Sequence, residues 1–153
     1  MAAYFFDSSA LAKLYHREIG TEEVDRIVSA PGNQVRLSRL AVVELSSVFA
    51  IKVRTRFLHK EDADLLLRQF RADVLARKLE VFSIGDFEFS LADRLIERYA
   101  HERRLRALDA IQLAVALSLR ETDLVDHFVA SDKVLCEVAS LEGFSVLNPE
   151  DPL

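Results

Sequence analysis

The chain has 153 residues, half of them apolar, which is enough for one domain with a substantial core and too few for two ordinary ones. A single domain over 1–153 is expected; four Gly, three Pro and no low-complexity stretch exclude a linker-rich or repetitive design, and one Cys excludes an internal disulfide. A formal charge of −5, from 20 basic and 25 acidic residues, taken alone argues against a nucleic-acid binder.

That average hides a distribution. Lys52, Arg54, Arg56 and Lys60 concentrate positive charge in one segment, and Arg94, Arg98, Arg103, Arg104 and Arg106 do so in another. Such runs serve either as solvated faces or as rims for a phosphate backbone. Met1 to Phe6 lacks the basic region and long apolar stretch of a signal peptide, and charges interrupt every apolar run before membrane-spanning length. With Cys136 set in the apolar pattern Val134, Leu135, Val138 and Ala139 as a buried thiol, a reducing cytoplasm is the expected location.

Ala3 to Phe6 is a short apolar run that reads as a buried strand, broken by the helix-capping residues Asp7, Ser8 and Ser9. A helix through Leu11, Leu14 and Tyr15 follows, then a second over Thr21 to Val28, a turn at Pro31-Gly32-Asn33, and a second strand from Val35 to Leu37. Ser38 can cap a helix whose apolar positions Val42, Leu45, Phe49 and Val53 recur at helical spacing. Glu61 to Leu79 is amphipathic, with Ala63, Leu67, Phe70 and Val74 on one face, and Glu80 to Ile84 is a third strand. Asp86 is expected to cap a helix through Leu91, Leu95 and Tyr99. The next helix starts close to Asp109, and over Ala110 to Leu119 it is apolar on nearly every face, so it should be buried. His127 to Ala130 is a fourth strand, Ser131-Asp132 caps a helix through Val138, and Phe144 to Leu147 is a fifth strand.

Helices between successive strands predict right-handed crossovers and a parallel sheet covered on both faces, with sites beyond the carboxyl ends of the strands. Asp7 and Asp132 each follow a strand and should share that edge; Asp109 begins a helix and Glu44 lies early on another. Each acid also has a plain structural reading, the three aspartates as helix caps worth about 1 kcal/mol each and Glu44 as part of a wetted helix face. Their surroundings favour chemistry: Glu44 stands in Leu40-Ala41-Val42-Val43-Glu44-Leu45 and Asp109 in Ala107-Leu108-Asp109-Ala110-Ile111, apolar settings where unpartnered charges are rare.

Two carboxylates about 4 Å apart repel by roughly 4 kcal/mol at an effective dielectric of about 20, so a cluster of four needs cations. Oxygen-only ligands suit Mg²⁺ or Mn²⁺, ions that acidify a water and aim it at a phosphodiester phosphorus. His16, His59, His101 and His127 are scattered without metal-ligand spacing, and no Gly-rich phosphate loop or dinucleotide fingerprint is present. Ser8 and Ser9 lack the Gly-x-Ser-x-Gly setting of a nucleophile and read as capping groups or as supports behind the ligands.

Tyr4 to Tyr15 around Asp7, Ser38 to Glu44, Leu105 to Ala114 around Asp109, and Val129-Ala130-Ser131-Asp132 form four acidic motifs in order. In this the chain resembles the PIN-domain nucleases, most closely the VapC-type toxins of toxin–antitoxin pairs, over nearly its whole length. The resemblance implies a three-layer α/β/α sandwich around a five-stranded parallel sheet, usually dimeric, with Mg²⁺ or Mn²⁺ held by Asp7, Glu44, Asp109 and Asp132 and with Ser131 helping to orient them. It further implies cleavage of RNA, often transfer or ribosomal RNA, and a VapB-like antitoxin whose tail blocks the site. Apart from the resemblance, Ser9 reads as a cap or as a support behind Asp7, and Arg104 and Arg106 either hold RNA phosphates near Asp109 or form a solvated helix end. The apolar positions on Val42 to Val53 and Leu65 to Val74 face either a second copy of the chain or only the core. Two other roles remain open at this point: RNA processing outside any toxin system, and a mainly non-catalytic binding module acting with an antitoxin.

Overall fold

In the computed structural model, which describes residues 1–152, the apolar run that opens the chain becomes the middle strand of a five-stranded sheet. β1 (Ala3–Phe6) is flanked by β2 (Gln34–Ser38) on one side and β4 (His127–Val129) on the other, with β3 (Leu79–Phe82) outside β2 and β5 (Ser145–Leu147) outside β4. The order is β3-β2-β1-β4-β5 and every pairing is parallel. Successive strand residues point to opposite faces, so a strand covered on both sides must be apolar throughout. Phe5 and Phe6 are each fully buried on opposite faces, as are Phe128 and Val129.

Among the described residues, seven helices cover the sheet. α1 (Ser8–Tyr15), α2 (Thr21–Ser29), α3 (Arg39–Arg54) and α4 (Lys60–Leu75) build one core around Phe6, Leu11, Ile27, Leu45, Phe49 and Phe70. α5 (Asp86–Tyr99), α6 (Ala107–Glu121) and α7 (Lys133–Leu141) build the other around Phe5, Leu95, Leu113, Phe128, Leu135 and Val138. α6 is buried over Ala110 and from Gln112 to Leu117, as its all-round apolarity requires.

Several boundaries differ from expectation. α4 stops at Leu75 and not at Leu79, because Arg77 enters the left-handed region at φ 58° and the last turn closes through Arg77 N–H to the Val74 carbonyl (3.1 Å) and Lys78 N–H to the Asp73 carbonyl (2.9 Å). Leu79 is thereby released to begin β3, which ends at Phe82 and not at Ile84. Asp86 does not cap α5: Gly85 holds the cap position, its N–H donates to Glu88 Oε2 (2.9 Å), and Asp86 is the first helical residue. α6 starts at Ala107, which puts Asp109 inside its first turn instead of at its cap.

Near the chain end, Pro149 packs against Gly20, the N-cap of α2. Gly20 has φ 94°, and a Cβ there would stand 3.0 Å from the carbonyl of Pro149, so both the backbone turn and the close approach require the missing side chain.

Candidate active site

Chain direction across the sheet reverses at its middle. From β1 the path proceeds outward through β2 to β3, whereas from β4 it proceeds the other way to β5, so the helices that leave β1 and β4 lie on opposite faces. A crevice opens at the carboxyl ends of two such strands. Asp7 follows β1 directly and Asp132 lies three residues beyond β4, and the ends are tied by Asp7 N–H to the Val129 carbonyl at 3.1 Å.

Asp7 is 4 % exposed. It caps α1, with Oδ1 accepting from Ala10 N–H (2.9 Å) and from Ser9 Oγ (2.6 Å). Ser9 Oγ in turn accepts from Ser131 N–H at 3.2 Å, which joins the loops after β1 and β4. Asp132 caps α7 through Oδ1 and Leu135 N–H (2.9 Å). The capping reading is therefore correct for Asp7 and Asp132 and incorrect for Asp109, whose Oδ2 instead accepts from Arg106 Nε at 3.1 Å. Glu44 is half-buried on the second turn of α3, and its Oε1 accepts from Gln112 Nε2 at 2.8 Å. Three of the acids, Asp7, Glu44 and Asp132, thus take their protein N–H or O–H donors on a single oxygen, leaving the second free of such a bond.

Their fields overlap. Burial pushes the Asp7 carboxyl up to about 7 against the pull of the Ser9 and Ala10 hydrogen bonds, with the negative charges of Asp109 and Glu44 adding to the rise. Asp109 is also raised, first by burial and then by Asp132, while Arg106 opposes. Arg106 is the positive charge of the cluster: beyond Asp109, its guanidinium lies 3.8 Å from Asp132 Oδ2 and within the field of Glu44.

A hard divalent cation fits this donor set in kind. Every candidate ligand atom is a carboxylate oxygen, and Ser131 Oγ is buried there without any hydrogen-bond partner. As placed, no group of three Asp, Glu, His or Cys side chains among the described residues is close enough to hold one ion. A guanidinium stands among the acids instead.

Gln112 was not legible as part of this edge. It is 1 % exposed in an otherwise apolar stretch of α6, and besides Glu44 it binds Ser38, whose Oγ donates to Gln112 Oε1 at 2.7 Å. The only signal for it in the sequence is that of an amide where the helical pattern asks for an apolar side chain. Cys136 is half-buried, donates to the Ala130 carbonyl (3.1 Å), and is pushed up to about 12 by burial and by Asp7 and Asp132, which makes it inert as a thiolate. The basic segments are partly neutralised: Arg98 pairs with Glu142, Arg103 with Glu137, Lys52 with Glu18 and Lys60 with Asp64, whereas Arg104 is exposed.

The PIN domain family model matches residues 4–141, and the chain belongs to the PIN-domain family, a nuclease fold. A comparison with curated protein sequences finds no match. Among solved structures, the chain is similar to VapC20 of Mycobacterium tuberculosis, described as a toxin that cleaves the sarcin-ricin loop, with 19 % identity, a TM-score of 0.66 and coverage of 98 % of this chain and 99 % of that one. It is likewise similar to VapBC2 of Rickettsia felis, bound to a DNA fragment from its promoter, with 14 % identity, a TM-score of 0.63 and coverage of 95 % and 98 %. A toxin–antitoxin complex from Klebsiella pneumoniae gives 16 % identity, a TM-score of 0.61 and coverage of 95 % and 97 %. No helix among the described residues is long and apolar enough to cross a membrane.

Proposed function

We propose that this chain is a divalent-metal-dependent endoribonuclease, the toxin of a toxin–antitoxin pair that acts against translation. The observation that carries the reading is the gathering of four carboxylates within one another's fields at the point where the sheet reverses direction, three of them hydrogen-bonded through one oxygen only. Asp7 and Asp109 are the principal ligands in this reading, and Glu44 and Asp132 complete the acidic edge. Ser9 and Ser131 fix the loops that carry Asp7 and Asp132. A divalent cation held there supplies activation of the attacking water and neutralises charge on the phosphodiester.

Arg106 has two parts in turn. Its pair with Asp109 is 65 % exposed on the arginine side, a geometry that contributes less than about 1 kcal/mol, so Arg106 would be free to leave Asp109 were that carboxylate to hold a divalent cation. Arg106 would then join Arg104 in holding phosphate oxygens, a task that a guanidinium fork suits. The structural neighbours include toxin–antitoxin complexes, which supports a VapB-like antitoxin as partner, and a second copy of the chain as dimer partner belongs to the same reading.

Purified protein incubated with total cellular RNA and Mg²⁺ or Mn²⁺ tests the proposal. Cleavage is expected to vanish on chelation and to fall in Asp7→Asn and Asp109→Asn by more than about a hundredfold, beyond the ten- to hundredfold that removal of a supporting group costs. Equal cleavage by wild type and Asp7→Asn, or cleavage indifferent to chelation, contradicts it.

A further inference from the structure

Gln112 is the only polar side chain among the buried residues of α6. Packing does not call for it, since Leu or Met would fill the same space without burying an amide that must find partners. Its two partners sit at the start of α3, separated from it by 74 and 68 residues in sequence.

The hydrogen bonds run in one direction. Ser38 Oγ accepts from Ala41 N–H at 3.3 Å, which leaves its own proton for Gln112 Oε1. With Oε1 so engaged, Nε2 is turned toward Glu44 and donates to its Oε1. The reverse orientation would set an amide oxygen against a carboxylate oxygen, two acceptors with no proton between them. Glu44, being half-buried, has water within reach and does not need a buried amide for its own hydration. What the amide adds is direction: one oxygen is gripped, the side chain is held in one rotamer, and the other oxygen is left free.

Resting on the metal-site reading above, we propose that Gln112 is a positioning residue that grips Glu44 Oε1 through an amide oriented by Ser38, so that the remaining carboxylate oxygen is presented to the divalent cation. Groups that orient ligands from behind typically govern metal affinity by ten- to a hundredfold.

The full chain is titrated with Mn²⁺ by calorimetry as wild type, Gln112→Met, Glu44→Gln and the double variant, with thermal melts to confirm folding. Gln112→Met is expected to weaken Mn²⁺ binding about tenfold, and to add nothing in the Glu44→Gln background, because its whole effect passes through Glu44. Should Gln112→Met fail to fold, the Gln112 side-chain amide signal in ¹⁵N NMR of metal-free protein reads the same contact, and is expected to shift in Glu44→Gln. Mn²⁺ binding by Gln112→Met equal to wild type, an equal loss in both backgrounds, or an unmoved amide signal overturns this assignment alone. A wild type that binds no Mn²⁺ overturns the metal reading and this assignment with it.

Discussion

Asp7 gives up water for one hydroxyl and one amide N–H, and the two do not fully compensate, so its carboxyl is pushed up to about 7. The sign of the consequence follows from linkage. A carboxyl whose folded pKa lies above its unfolded value of about 4 contributes stability that is fully present below that value and is lost as pH rises to about 7. Above neutrality the buried charge therefore costs on the order of 4 kcal/mol in protein without bound cation. Asn keeps the Oδ1 acceptor for Ser9 and Ala10 and carries no charge. Asp7→Asn should therefore stabilise metal-free protein more at pH 8 than at pH 5, by roughly 2 kcal/mol in thermal or denaturant melts. Mn²⁺ should then stabilise the wild type at pH 8 more than the variant. An equal gain at both pH values would mean that Asp7 is already ionised at pH 5.

Among the elements, α1 is held at both ends by buried polar contacts. Asp7 caps its start, and Lys13 in its last turn, 3 % exposed, bridges Glu18 (3.0 Å) and Glu150 (2.8 Å), tying α1 to the chain end that also packs on Gly20. Removing one partner from such a group leaves charge unpaired, although the partially exposed glutamates recover some hydration. Lys13→Met, which keeps the stem and loses the charge, should lower stability by about 1–3 kcal/mol in denaturant titration, with Glu150→Gln costing less. No loss in Lys13→Met would mean that the network is electrostatically idle. The sequence carries these elements unevenly. Strands such as Ala3–Phe6 announce themselves because burial on both faces demands unbroken apolarity, and α3 and α6 do so by period. The end of α4 is hidden because the left-handed turn at Arg77 uses a residue type with no preference for that conformation, in place of Gly or Asn. The start of α5 is misplaced by one residue because Asp86 resembles a cap more than Gly85 does, while Glu88, three residues on from Gly85, performs the reciprocal half of the task.

At the scale of the whole molecule, Asp7 and Asp132 reach one edge because the parallel strands β1 and β4 both end there, and that much was readable once the strands were assigned, whereas Asp109 comes from a helix that follows another helix. The strand order was not readable, since it depends on which helices pack on which face, and with it the reversal at β1 and β4 remained hidden. Gln112 was hidden for the same reason: its meaning lies in Ser38 and Glu44, which only the closed sheet brings across from α3. The net charge of −5 also gains sense, because Asp7, Glu44, Asp109 and Asp132 lie within one another's fields with Arg106 among them. Anomalous diffraction from crystals soaked in Mn²⁺ tests this account most directly. It predicts a peak ligated by Asp7 and Asp109, with Arg106 turned away from Asp109; Mn²⁺ binding elsewhere on the surface, with the Arg106 pair intact and no peak at this edge, would contradict it.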